Sequence, residues 1–589
     1  MSKLDYYRFV ARYLGLVAFK RKTLGGVAEA MAARHKQAPF LLFEDDTISF
    51  DEFNRLSNRR AHFFREQGVG QGDVVALLME NRPEFLTTLM GLAKLGAVTA
   101  AINTNLKGQA LVNSFRTADA RKVVVGAECL ESYRQVLPEL GADAAANSYI
   151  DTRWESDRQL PEGSHDLNRL LADASEANPP PVKMNSKDQF MYIYTSGTTG
   201  MPKAARINHF RWYAAGLAMG DYALRVRPDD TVYCALPLYH SNGALIAFGS
   251  ALVNGAQLAL SRRFSASRFW EEVTRVKATC FIYIGEVLRY LMNSPPGPHD
   301  KGHSVTRILG NGLRPDIWDD FQERFGIEHI REFYASTEGN AVTINMDDSS
   351  GSVGTVVLKA SDNLKIVRYD VESEDYIRNS EGFCEPCEVD EIGELLGQVK
   401  VTTPFGGYTN EKDTENKLLR DVLKKGDVFF RTGDLLKKDA GGQYYFIDRI
   451  GDTFRWKGEN VSTNEVAEIL SGYSGLAFVN VYGIEVPGAE GRAGMATLTV
   501  QSDGAFDPGA FHAYAEQRLP AYAVPAFLRL LPQVEVTGTF KLLKTDLKRA
   551  GFNPELVSDP LYYRDPVDRT YRLVTKEVYD RIQAQEMRF

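Results

Sequence analysis

Between about residues 40 and 350 the chain alternates short β-rich apolar runs with longer amphipathic stretches. The runs at 74–79 (VVALLM), 122–125 (KVVV), 190–194 (FMYIY), 231–236 (TVYCAL) and 279–284 (TCFIYI) are each followed by Gly, Pro or Asn and then a helical pattern. That rhythm is the one βαβ units produce, and it predicts mostly parallel sheets. The segment 178–181 (NPPP) reads as a stiff extended link between two such blocks. From 351 to 448 the strands shorten and turns multiply, which suggests a smaller β-rich unit. A fresh α/β pattern starts after Arg449, with a helix over 461–471 and strands over 477–484 and 496–500. The expected fold class is therefore α/β. A large N-terminal domain at 23–448 holds two α/β subdomains and a small β-rich one, and a smaller α+β C-terminal domain occupies 449–589.

The first 22 residues stand apart. They carry six basic residues (Lys3, Arg8, Arg12, Lys20, Arg21, Lys22) against Asp5, so a segment of net +5 opens a chain of net −8. The apolar stretch is too short and too often interrupted by Arg for a signal peptide. On a helix Asp5, Arg8 and Arg12 share one face, and Tyr6, Phe9, Val10, Tyr13 and Val17 share another. Two readings stay open: an interfacial helix whose cations meet anionic lipid, or a surface helix packing its apolar stripe on its own domain.

Composition narrows the class. The chain has 589 residues, 44% apolar and 25% charged, with a mildly acidic total. That is the balance of a globular protein, and it argues against nonspecific nucleic-acid binding, which draws on a basic surface. Five cysteines in so long a chain fit a reducing compartment. Cys384 and Cys387 form a lone C-x-x-C that lacks the further ligands of a zinc site and reads as two reduced thiols in a turn. The apolar stretches 85–104 and 243–260 read as buried core rather than membrane spans, since both contain polar residues and many Gly, Ala and Thr.

Residues 194–205 read YTSGTTGMPKAA. Thr195, Ser196, Thr198 and Thr199 surround Gly197 and Gly200, and Lys203 closes the string. Glycines let backbone N–H groups approach an anion, hydroxyls add donors and the lysine adds a point charge. No Walker A pattern fits it. The string resembles the phosphate loop of the adenylate-forming superfamily, which includes acyl-CoA synthetases, peptide-synthetase adenylation domains and luciferases. The resemblance continues in order through 236–243 (LPLYHSNG), 310–314 (GNGLR), 334–339 (YASTEG), 431–434 (RTGD) and 537–541 (TGTFK). By itself His240 also reads as a satisfied core histidine. Longer stretches, above all 448–466 (DRIGDTFRWKGENVSTNEV) and 537–554, resemble the fatty-acid transport protein / very-long-chain acyl-CoA synthetase branch.

The resemblance implies an ATP-dependent fatty acid–CoA ligase acting through acyl-AMP. It implies that His240 lies near the acyl carboxylate and that Gly310, Asn311 and Gly312 lie against adenine. Tyr334 would stack on adenine, Thr337 would bond phosphate, and Glu338 would hold Mg²⁺. Asp434 and Arg449 would bind the ribose, and Lys541 would reach the carboxylate and α-phosphate. The C-terminal domain would swing between the two half-reactions about 450–452. The acyl pocket is expected around 240–244 and 283–286. The implied partners are a fatty acid, ATP, CoA, a membrane surface contacted peripherally and a second copy in a homodimer, with no nucleic acid. The implied address is cytoplasmic, on the inner face of a membrane. Rival readings are a fatty-acid uptake protein with secondary ligase activity, and a ligase for another carboxylate such as a bile or aromatic acid.

Overall fold

The computed structural model describes residues 3–18, 22–155, 158–196, 202–358, 362–371, 373–457, 459–489, 491–501, 506–532, 544–565, 568 and 570–587. The consecutive apolar runs become strands covered on both faces, which is why they do not alternate with polar residues. Val74–Leu78, Val98–Ala101, Lys122–Gly126 and Ser148–Asp151 pair in parallel within a seven-stranded sheet, which ends in the antiparallel hairpin Gln189–Ser196/Pro202–Asn208. An eight-stranded sheet has six adjacent parallel strands, from His329–Ala335 through Arg307–Asn311, Cys280–Ile284, Thr231–Cys234 and Gln257–Leu260 to Pro39–Phe43. An antiparallel strand closes each edge. One apolar core running from Phe9 to Ile344 joins both sheets.

The β-rich unit is antiparallel, with Val428–Lys438 between Tyr444–Arg449 and Gly393–Gln398. Beyond it a mixed five-stranded sheet, Leu476–Ile484 to Thr570–Leu573, has its own core from Phe454 to Ile582. Two α/β units, a β-rich unit and a smaller α+β unit are thus the architecture the patterning predicts. The chain passes to the last unit through Gly451, whose φ of +104° suits only glycine. Asp448 accepts from the backbone N–H and hydroxyl of Thr463 at 2.6 and 2.9 Å. Asp452 pairs with Lys544 and Lys548 at 3.3 and 3.2 Å.

The apolar stretches tested as membrane spans are core. Residues 85–104 fall in the helix Pro83–Lys94 and the strand Val98–Ala101, both buried throughout. Lys94 is buried because its ammonium donates to Asn54, Asn58 and Glu29 at 2.7, 2.6 and 2.9 Å, as a buried charge requires. Among the described residues no helix is long and apolar enough to cross a membrane. Cys384 is buried and Cys387 half-buried, both as free thiols. Burial pushes the Cys387 thiol up to about 12.

In the N-terminal helix Lys3–Ala18 the apolar stripe packs on the chain's own core, the second of the two readings. Phe9 and Leu16 are buried in the main core, with Val10 and Tyr13 packed against it. Arg8 and Arg12 both pair with Asp221, whose side chain is only 2% exposed. Arg12 also donates to Asn254 Oδ1 at 2.8 Å and to the Val253 carbonyl at 2.9 Å. The arginines thus neutralise a buried carboxylate of their own domain. Apolar residues stay exposed on the outer flank, at Tyr7 (66%), Leu14 (59%) and Val17 (42%).

Candidate active site

A cavity of about 2690 Å³ is bounded by the eight-stranded sheet, the hairpin that edges the seven-stranded sheet, the β-rich unit and the C-terminal unit. Ile284, Asn311 and Tyr334–Ala335, at the carboxyl ends of parallel strands, open into it. Open α/β sheets bind ligands at that edge because their loops diverge there.

Three candidate residues from distant parts of the chain meet at one point. Cross-strand pairing sets Asp434 opposite Arg449, and Arg449 Nε lies 3.6 Å from Asp434 Oδ1. The Tyr334 hydroxyl donates to Asp434 Oδ2 at 2.6 Å. Burial raises the Asp434 carboxyl and the Arg449 guanidinium opposes that rise. The preceding Gly433 N–H donates to buried Glu394 at 3.0 Å, which fixes the turn from behind.

A second group lines the same cavity. Hairpin register places Thr195 across from Lys203, and Lys203 Nζ pairs with Asp413 at 2.8 Å. Glu338 accepts from the Tyr408 hydroxyl at 2.8 Å. Thr337 Oγ1 lies 3.3 Å from Ser241 Oγ, which joins the segments 334–339 and 236–243. His240 also lines the cavity. Arg211, which also lines the cavity, donates to the Ser336 carbonyl at 2.7 Å and to the Glu338 carbonyl at 3.5 Å. Burial lowers its guanidinium to about 10. Gly197, Thr198, Thr199, Gly200 and Lys541 lie outside the described residues, as does the side chain of Ser196.

The loop at 310–314 differs in detail from the expectation. Asn311 and Gly312 face the cavity, whereas Gly310 is buried inside its strand and does not line it. A Cβ at Gly310 would meet the Tyr283 carbonyl at 2.3 Å, so this glycine serves strand packing. Gly312 takes a φ of +83°, and a Cβ on Gly285 would lie 1.6 Å from its carbonyl oxygen. Tyr283 is likewise displaced from its expected place on the acyl pocket: its buried hydroxyl donates to Glu332 at 2.5 Å. Glu332 also accepts from the Gly312 and Leu313 N–H groups at 2.9 and 3.1 Å, and so holds the loop.

Arg211, Glu332, Tyr408 and Asp413 carry no recognisable motif. Glu332 has one sequence signal, a carboxylate inside the apolar strand 329–335 (HIREFYA). Tyr408 follows the turn-forming pair Gly406–Gly407.

The sequence profile of the AMP-binding enzymes matches residues 28–396. The chain belongs to that family. Within it the chain falls in the fatty-acid transport protein branch. It is 41% identical to long-chain fatty acid transport protein 2 of Rattus norvegicus over 565 residues, 94% of this chain and 89% of that protein. It is 37% identical to the medium/long-chain-fatty-acid–CoA ligase FadD6 of Mycobacterium tuberculosis over 552 residues, 94% and 89% of the two chains. The family fold is evident in the anthranilate CoA ligase AuaEII with anthranoyl-AMP, at a TM-score of 0.78 and 20% identity over 90% of this chain and 97% of that one.

Burial pushes the Glu332 carboxyl up to about 8, against the three donors that face it. The fold therefore keeps a proton that the unfolded chain loses near the ordinary carboxyl range. Stability falls as pH rises from that range through about 8. Glu332→Gln cannot ionise, so its thermal midpoint, followed from about pH 5 to 9, should fall less with pH than that of the unmodified chain. Equal slopes would contradict the assignment.

Proposed function

We propose that the chain is an ATP-dependent ligase joining long- or very-long-chain fatty acids to CoA through acyl-AMP, with release of AMP and pyrophosphate. One observation carries this reading. The lining of the cavity that holds Tyr334, Asp434, Lys203 and Glu338 also includes an apolar set, Phe210, Ala214, Ala218, Met219, Leu245 and Ile246, which we read as the wall of an acyl arm. A nucleotide and an alkyl chain would share one enclosure.

In this reading Asp434, with Arg449 beside it, binds the ribose, since one carboxylate can accept from both vicinal hydroxyls. Tyr334, Asn311 and Gly312 face adenine, and Gly310 backs them. Thr195, Ser196, Thr198, Thr199 and Lys203 cradle the β- and γ-phosphates on a backbone turned by Gly197 and Gly200. Lys203 exchanges Asp413 for phosphate. Thr337 bonds phosphate, His240 stands beside the substrate carboxylate, and Lys541 bridges that carboxylate and the α-phosphate.

Among the described residues no group of three or more His, Cys, Asp or Glu side chains could hold a metal ion. A single cavity-lining carboxylate, Glu338, fits Mg²⁺, which keeps several waters and takes its other oxygens from phosphates. Held there it would supply neutralising charge to the phosphates.

A carboxylate is a poor acylating agent because its leaving group would be oxide. Its oxygen attacks the α-phosphorus, the bond from phosphorus to the pyrophosphate oxygen breaks, and pyrophosphate departs with the electron pair. A CoA thiolate then attacks the acyl carbon and AMP leaves. Two anions must meet in the first step, so positioning and charge neutralisation supply most of the catalysis. Between the steps the unit beyond Arg449 swings at 450–452 and withdraws Lys541.

The same reading accommodates the transport name of the relatives, since thioester formation consumes free acid and draws more across a bilayer. It includes peripheral contact with the inner face of a membrane through Tyr7, Leu14 and Val17, which lie on one helical flank, in a segment whose sequence goes on to the basic residues 20–22. Sedimentation with anionic vesicles should weaken in Leu14→Asp, and undiminished binding would remove that contact.

The direct test is ATP–pyrophosphate exchange across acids from short to very long chains. Exchange should rise into the long-chain range and vanish in Lys541→Ala, while that variant still forms thioester from supplied acyl-adenylate. Exchange supported only by aromatic or bile acids would overturn the substrate class. Equal loss of both half-reactions in Lys541→Ala would overturn the division of labour.

A further inference from the structure

We infer that the N-terminal helix Lys3–Ala18 is the end wall of the acyl arm, and that Phe9 and Tyr13 set the length of acid the enzyme accepts. The inference deepens the ligase reading and rests on it. Phe9 and Tyr13 line the same cavity as the candidate nucleotide residues. The Tyr13 ring lies 6.4 Å from that of Phe210, itself a wall of the arm. The Phe9 ring lies 5.0 Å from that of Tyr222, and Phe9 is only 1% exposed, so the helix packs tightly on the domain where it borders the cavity.

The wall is held by charge at a place chosen by the backbone. Asp221, the partner of Arg8 and Arg12, sits in Gly216–Leu224, a π-helical segment. A second π-helical segment, Asn242–Ala247, supplies Leu245 and Ile246 to the arm. π-Helical turns are rare and recur at functional sites, because the wider coil shifts side chains out of α-helical register. Here both present Ala218, Met219, Leu245 and Ile246 to the apolar space. A carboxylate with so little exposure needs its cations, and besides Arg227 at 3.4 Å they are the two arginines of the helix, which hold it there.

A closed apolar arm measures chain length by volume. Each methylene that finds room contributes about fourfold in kcat/KM, and each that does not is excluded. Phe9→Ala should therefore move the preferred acid toward longer chains, raising the long-to-short ratio of kcat/KM by about fourfold per added methylene accommodated. Phe9→Trp should move it toward shorter chains. Tyr13→Ala, at a less buried position, should act in the direction of Phe9→Ala and serves if that variant does not fold.

Exchange measured across the same acid series for the full chain and the three variants decides the matter. Opposite displacements for the smaller and the larger side chain support the wall. Profiles that fall in parallel for all acids, as general destabilisation would cause, overturn it while leaving the ligase reading intact. Exchange by the unmodified chain with no acid at all would overturn both.

Discussion

The hydrogen bond from Tyr334 to Asp434, with Arg449 alongside, is the contact on which the site depends. It ties the last parallel strand of the eight-stranded sheet to the long hairpin of the β-rich unit. Arg449 stands just before the chain leaves for the C-terminal unit. Two segments a hundred residues apart, with Arg449 on the strand paired to the second, are thereby fixed around one carboxylate. The cavity has its polar wall because these units cannot drift apart without exposing or stranding that buried acid.

The same arrangement is repeated behind the other loops. Glu332 gathers the N–H groups of Gly312 and Leu313, Glu394 holds that of Gly433, and Arg211 holds the carbonyls of Ser336 and Glu338. Each is a buried or half-buried ionisable group that partners backbone. Loops that must meet a flexible, highly charged substrate are thus set in advance by polar groups in the cavity wall that are engaged with backbone.

Much of the fold was legible in the sequence because buried parallel strands are runs of β-branched and aromatic residues, and little else reads that way. The unit from 351 to 448 was legible from its crowded turns and the last unit from the fresh α/β pattern after Arg449, although strands such as Val428–Lys438 and Leu476–Ile484 proved long. The N-terminal helix shows the limit of periodicity: the pattern identifies an apolar stripe but not what covers it, and the partner Asp221 lies over two hundred residues away. Reading motifs as whole strings also blurred which residue faces the cavity. Gly310 belongs to the strand core, and Tyr283 turns to Glu332 instead of the acyl arm. Arg211, Glu332 and Asp413 were not legible as site residues because what they hold is distant in sequence and is mostly backbone or a single opposite charge.

The central claim is that a fatty acid and ATP react in one cavity so that the carboxylate oxygen becomes bonded to the α-phosphorus. Turnover of a long-chain acid labelled with oxygen-18 in its carboxyl group, with ATP and CoA, tests that bond itself. The account predicts AMP carrying one labelled oxygen, as seen by mass spectrometry, in step with acyl-CoA formed. Acyl-CoA accompanied by unlabelled AMP, or by ADP and labelled orthophosphate, would contradict it.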